Sequence, residues 1–166
     1  MAADLPEGTV FAFIADPVAV EMAQRVGEGA ALTLDLGGRQ DDRFGAPVRV
    51  SAVVEMLTDG RFVNTGPMEH GISLNLGPTT LLRVGPMRII VTSRVYSPND
   101  PGYFQLHGIE VTEIPVLLAK AKNHFRASFG RSFDAFAQVE TPGPAMADVS
   151  QLPFHQIPAA RLDLGG

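Results

Sequence analysis

The sequence predicts an α/β domain with some α+β character. Three observations carry the prediction. An apolar run near the start gives way to a capped helix and then an alternating run, a β-α-β unit. The middle of the chain holds strand-like runs folded about tight-turn signals, a pair of antiparallel hairpins. The last third returns to strand-helix-strand and ends in a Pro-rich tail. At 166 residues the chain suits a single domain, 1–166, and is short for two.

Thr9–Ala15 (TVFAFIA) is β-branched, aromatic and of strand length, as a buried strand requires. Asp16 follows as a helix N-cap, its carboxylate placed to accept from the free N–H groups of the first turn. Pro17 fits the first helical position, where no N–H is needed. The helix Pro17–Val26 stops at Gly27, and Ala30–Leu36 (AALTLDL) alternates as the next strand. Gly37–Gly45 (GGRQDDRFG) is a polar, glycine-bracketed loop. Val48–Thr58 reads as a strand, Asp59-Gly60 as its turn, and Arg61–Asn64 as the start of the return. Thr65–Pro78, rich in Gly, Pro and Asn, is expected to be a long loop. Thr79–Val84 and Met87–Tyr96 form the second hairpin around Gly85-Pro86, and Ser97–Gly102 (SPNDPG) closes this part with turn formers. Ile114–Ala119 (IPVLLA) reads as a buried strand, Lys122–Phe133 as a helix and Phe136–Glu140 as a last strand. From about Thr141 the tail is expected to lie extended over the surface.

Composition narrows the function classes. Apolar residues make up 45% and charged residues 19%, a globular balance able to build a core. The absence of Cys excludes disulfides, thiolate metal sites and cysteine nucleophiles. A net charge of −5, with no Lys/Arg cluster interleaved with aromatics, argues against nucleic acid. No apolar run approaches the roughly 18–20 residues of a membrane span. Met1 to Gly8 have neither a positive n-region nor an apolar stretch, so a cytoplasmic location is expected.

The residues that could carry chemistry are few. His70, His107, His124 and His155 show no H-E-x-x-H, no His-x-His and no helical i,i+4 pair, whereas a catalytic zinc wants three converging ligands. Glu69-His70 are adjacent in a loop and converge poorly on one ion. The chain is therefore expected to hold no metal and no catalytic residue of its own. The loop after the second strand has paired glycines, Gly37 and Gly38, and two acids, Asp41 and Asp42, that could reach a substrate amine, with solvated loop charges as the plainer reading; Gly37, Gly38 and Asp41 are its candidate ligand contacts, and the P-loop pattern is absent. No Gly-x-Ser-x-Gly elbow occurs. Phe125, Phe129, Phe133 and Phe136 recur at helical spacing and should pack into the core. His124 and Arg126 flank that stripe, about 200° apart at 100° per residue. If His124 precedes the regular helix, it borders an anion-accepting site with Lys120 at the strand end. The alternative is a buried, hydrogen-bonded His124 with Arg126 on the surface.

Six segments in order resemble the C-terminal domain of microcystinase C-type (MlrC) metallopeptidases. They are Ile14–Val20 (IADPVAV), Leu34–Val48 (LDLGGRQDDRFGAPV), Leu57–Met68 (LTDGRFVNTGPM), Leu76–Gly85 (LGPTTLLRVG), Ala119–Phe129 (AKAKNHFRASF) and Val139–Ala145 (VETPGPA). The resemblance implies a two-domain enzyme hydrolysing amide bonds in small or cyclic peptides, with zinc held by His and acidic residues of an N-terminal domain that this chain does not contain. It also implies that Lys120, His124 and Arg126 lie at positions the family keeps. Two positions depart from the pattern: Ala121 replaces a usual Ser, and the tail after Phe154 lacks an Arg-Arg-Pro ending. The Asn-Pro-Gly-rich opening segment of the family domain is also missing. The expected role is thus a non-catalytic domain that shapes a substrate cleft or an interface for a metal-bearing domain or chain, and that self-associates as a homo-oligomer. The rival is a stand-alone small-molecule, anion-binding or oligomerisation module.

Overall fold

The computed structural model describes residues 4–39, 41–121, 124–139, 141 and 143. Its elements are β1 (Thr9–Ala15), α1 (Pro17–Val26), β2 (Ala31–Leu36), β3 (Val48–Thr58), β4 (Arg61–Val63), β5 (Ser73–Asn75), β6 (Thr79–Val84), β7 (Met87–Thr92), α2 (Gly102–Gln105), β8 (Leu117–Ala119) and α3 (Phe125–Phe129). Short 3-10 turns occupy Asp42–Phe44 and Val111–Glu113. Six strands form one mixed sheet in the order β2-β3-β6-β7-β1-β8, while β4 and β5 pair separately. The α/β class read from the sequence holds.

Alternation decides which side chains meet which layer. In β7, Ile89 and Val91 face α1, whereas Ile90 faces the opposite side; Leu82 and Leu81 divide likewise in β6. One core therefore joins Ala19, Val20 and Ala23 of α1 to Leu34, Leu36, Val54 and Leu82. The other joins Val10 and Ala12 of β1 to Tyr103, Phe104, Ile109 and Phe129 from the later segments. Burying a side chain such as Leu82 or Ile90, both 0% exposed, contributes roughly 1.5–3 kcal/mol.

The strand–helix–strand beginning forms at the expected places, and the sheet distributes it widely. β1 lies between β7 and β8, parallel to both, whereas β2 pairs only with β3, antiparallel, at the far edge. α1 spans the face between them. The first expected hairpin is built differently. β3 pairs with β6, Thr58 against Thr79, and β4 turns away to pair with β5 inside the stretch read as a long loop. The cause is a close backbone approach: Gly60 O accepts from Leu76 N–H at 2.9 Å, and a Cβ on Gly60 would lie 1.8 Å from Gly77 O. The second hairpin holds, with Gly85 at φ 57° giving the positive φ that tight primed turns use. Its return strand ends at Thr92 rather than Tyr96, because Arg94 N–H turns to Leu76 O at 3.0 Å.

The last third is more irregular than its pattern. Only Leu117–Ala119 of the apolar run Ile114–Ala119 pairs as strand, and α3 covers five residues. Gly130 and Ser132, poor helix formers, close it with turn bonds to Arg126 O and Phe129 O. Phe136–Val139 form no strand among the described residues; instead the Phe136 ring packs against Phe125 at 5.8 Å and Phe133 at 6.3 Å. Phe129 is fully buried edge-on against Phe104, 5.5 Å away. Lys122 and Asn123, at the expected start of the helix, Glu140 of the expected last strand, and residues 142 and 144–166 of the tail lie outside the described residues.

Candidate functional site

The parallel strands β7, β1 and β8 end at one edge of the sheet, and Asp16 sits where β1 gives way to α1. Its side chain is fully buried. Oδ1 accepts the Ala19 N–H at 3.0 Å, the expected N-cap bond. Oδ2 accepts the Gly37 N–H at 3.0 Å and Arg39 Nε at 3.1 Å, and the Asp16 N–H donates to Thr92 O at 2.9 Å. One carboxylate thus caps the helix, anchors the loop after β2 and neutralises Arg39, whose other arm donates to Asp35 O at 2.6 Å. Gly38, at φ 63°, pinches that loop shut: a Cβ there would lie 2.5 Å from Pro47 N.

The structure brings Gly37 and Gly38 to this edge but turns Asp41 elsewhere. Asp41 takes Arg43 in a bidentate pair, 2.9 Å from Nε to Oδ1 and 2.6 Å from the second arm to Oδ2. That hydrogen bonding holds the Asp41 carboxyl below its ordinary range. Lys120 extends the β8–β1 pairing by donating its N–H to Ala12 O at 2.9 Å, so its exposed side chain springs from the same edge. His124 immediately precedes α3 and is exposed, so the buried alternative for it is not what the fold adopts. Arg126 is also exposed; its guanidinium lies over the Phe125 and Phe136 rings at 5.6 and 5.4 Å. At five residues α3 is little more than one turn, so it lends this site scant dipole field.

Two buried polar centres were hidden in the sequence. Asp100, within SPNDPG, is 1% exposed and gathers three backbone N–H groups. The Asn-Asp-Pro-Gly run signals such an Asx-type turn, though not its long-range partners. His107 is buried with Nδ1 3.0 Å from Tyr103 O and Nε2 2.8 Å from Thr79 Oγ1. Burial pushes its pKa down to about 4. Burial, and then the charge of Glu69, pushes the neighbouring Tyr103 phenol up.

The described histidines lie apart from one another. His70 lies with Nδ1 3.1 Å from Thr65 O, His107 is enclosed in the core, His124 is exposed, and His155 lies outside the described residues. Among the described residues no three His, Cys, Asp or Glu side chains gather around one point. Two shallow grooves, of about 350 Å³ over β2 and β3 and about 450 Å³ over β4 and β5, border neither Asp16 nor Lys120.

The family described as MlrC C-terminus matches residues 1–156. The chain belongs to that family. A crystal structure of a Mesorhizobium sp. BNC1 protein, provisionally designated a metallopeptidase, matches 99% of the chain with a TM-score of 0.82 and 28% identity. The chain spans 33%, one third, of that protein's length. No curated protein matches it. As an MlrC C-terminus domain, the chain places the glycine loop and Lys120, both within the family match, at the carboxyl ends of its parallel strands. Among the described residues no helix is long and apolar enough to cross a membrane.

Proposed function

We propose that this chain acts as the non-catalytic C-terminal domain of a metallopeptidase, lining the substrate cleft of a metal-bearing domain that cleaves amide bonds in small or cyclic peptides. The observation that carries the reading is the match of 99% of this chain to one third of a provisionally designated metallopeptidase at a TM-score of 0.82. Among the described residues no group of side chains fits a catalytic zinc, and in this reading the activated water is supplied by the metal-bearing domain. The lining would be the carboxyl edge, with Gly37 and Gly38 as backbone walls and Lys120 and His124 as exposed donors toward substrate carboxylate or carbonyl oxygens. Exposed Val63, Met68, Ile72 and Val95 support the expectation that another domain, or a second copy, covers part of the surface.

A chimera tests the proposal: this chain replaces the matching third of the Mesorhizobium protein, and both are assayed on small linear and cyclic peptides with zinc. The chain alone is expected to give no turnover and the chimera to give it. Lys120→Ala or His124→Ala should lower the chimera's kcat/KM by roughly tenfold or more, with melting unchanged because both side chains are exposed. Zinc-dependent turnover by the chain alone, abolished by a point substitution within it, refutes the non-catalytic assignment.

A further inference from the structure

The six-stranded sheet ends in β2 on one side and β8 on the other, and the two margins are built differently. β8 offers three residues, whereas β2 offers six, ALTLDL, in unbroken register with β3. Which backbone groups of β2 stay free follows from how the strand begins. Gly29 N–H donates to Val54 O at 2.8 Å, and Val54 N–H donates to Ala30 O at 3.0 Å. Gly29, at φ 80°, is the extra residue of a bulge, and the ladder enters β2 on a bonded Ala30–Val54 pair. Antiparallel pairing then alternates. Leu32, Leu34 and Leu36 exchange bonds with β3, while Ala31, Thr33 and Asp35, all exposed, turn their N–H and C=O groups outward.

Proteins blunt such margins with Pro, Lys, bulges within the strand or a covering loop, because free strand groups template pairing with another chain. Ala31–Leu36 contains no Pro, no Lys and no register shift. The loop that follows reaches back at the far end, where Arg39 donates to Asp35 O at 2.6 Å. The side chains then decide which partner fits. Set a second β2 antiparallel to the first about a two-fold axis at Thr33. Thr33 then opposes Thr33 and Ala31 opposes Asp35, so every outward residue meets an outward residue. The single charge of the strand faces a methyl group and keeps its own Arg49, 3.5 Å away. On the α1 face half-buried Leu32 meets buried Leu34, which carries the apolar layer across the axis. Moving the axis to Leu32 or Leu34 cuts three bonded residue pairs to two, and moving it to Asp35 sets two carboxylates face to face.

We propose that β2 is a dimerisation strand, through which two copies of this chain join antiparallel along Ala31–Leu36, with the two-fold axis at Thr33, into one continuous sheet. The self-complementary order of the strand, a central Thr with a small residue and an acid two places to either side, selects a second copy over an unrelated strand. The join also leaves the candidate site clear. Gly37 and Gly38 follow directly on β2, so an antiparallel pair carries the two glycine loops to opposite ends of the joined strands. Each carboxyl edge stays open to another domain. The inference stands on the strand edge alone, and failure of either it or the peptidase reading leaves the other intact.

The test uses the full 166-residue chain, whose lack of Cys makes a single introduced thiol specific. Sedimentation velocity over a concentration series is expected to show a monomer–dimer equilibrium. Thr33→Cys should yield a disulfide-linked dimer on mild oxidation, because bonded cross-strand pairs hold their Cα atoms about 5.5 Å apart, within disulfide reach. Ser51→Cys, also exposed but one strand further in, should not, since three strand spacings separate the two copies by about 14 Å. Thr33→Lys should weaken the dimer by about tenfold or more, and mixing it with Thr33→Glu should restore a mixed dimer. Thr33 is exposed, so all its variants should melt near the wild type. A chain that is monomeric at every concentration overturns the proposal and gives the edge to another partner. A dimer that fails to cross-link through Thr33→Cys, cross-links equally through Ser51→Cys, or ignores the charges at Thr33 overturns it as well.

Discussion

His107 makes the stability of this domain depend on pH in a way that can be worked out from its contacts. Nδ1 faces the carbonyl oxygen of Tyr103, which can only accept, so Nδ1 carries the proton of the neutral ring. Nε2 is then an acceptor, and Thr79 must donate its hydroxyl to it at 2.8 Å. Thr79 Oγ1 next accepts from Thr58 Oγ1 at 2.7 Å, and Thr58 accepts the Gly60 N–H at 3.0 Å. Protonating Nε2 reverses the sense of this chain, and burial opposes the charge. The folded pKa is accordingly about 4, against 6.5 in the unfolded chain. Above pH 6.5 both states are neutral and stability is full. As pH falls below 6.5 the unfolded state gains a proton that the native state refuses, so stability declines until about pH 4, where the native ring protonates too. At 1.36 kcal/mol per pH unit the whole loss is about 3 kcal/mol, and at pH 5 about 2 kcal/mol, or roughly 4–8 °C in Tm. Urea melts of wild type and His107→Gln between pH 7.5 and 5 isolate this contribution as the difference in slope. The variant should start less stable and decline less. Equal slopes, or an NMR titration placing His107 near 6.5, would refute the reasoning.

Two further pairs of substitutions probe the frame of the candidate site. Gly60→Ala should cost more than 3 kcal/mol, because its Cβ would meet the Gly77 carbonyl at 1.8 Å, whereas Gly85→Ala, with nothing within 4 Å, should cost only about 1 kcal/mol for its positive φ; comparable urea midpoints for the two would disprove the close approach. Asp16→Ala should destabilise by about 2–4 kcal/mol through the lost cap, the freed Gly37 N–H and the unpaired Arg39, and Asp16→Asn by less because it can still cap; equal losses on denaturation would show that the charge contributes as much as the cap.

What the sequence made legible was local. The limits of β1, α1, β3 and β6 follow from apolar runs, a capping Asp, a Pro and a tight turn, each decided within a few residues. The first oxygen of Asp16 was legible for the same reason. Its second was not, since Gly37 and Arg39 lie 21 and 23 residues away. The partner of β3 could not be read from the Asp59-Gly60 turn, because the choice between β4 and β6 is made where Gly60 passes Gly77. Spacing placed Phe129 correctly in the core but carried the same helix too far, past Gly130. The buried Asp100 shows the same limit. Its residues read as turn formers, and only folding brings Thr65 and Gly66 across 35 and 34 positions to the carboxylate.

The distribution of buried polar groups gives a reason, independent of any relative, for looking at the carboxyl edge. The α1 face of the sheet is closed by Ala19, Val20, Ala23, Leu34, Val54 and Leu82, all apolar. Register sets Thr58 beside Thr79, Thr79 beside Thr92, and Thr92 beside Ala15, so buried Thr79, Thr92 and Asp16 lie along one edge. His107 attaches to that row through Thr79. Each such group needs a partner that an aliphatic side chain would not, and each is costly if the partner is lost. A domain built only for stability would spread such groups thinly or replace them. Their concentration where three parallel strands end, beside exposed Lys120 and the pinched Gly37-Gly38 loop, buttresses that rim from within and holds its backbone in one geometry. A cleft wall that must present the same surface to a substrate, while the residues facing solvent remain free to bind, needs that kind of construction.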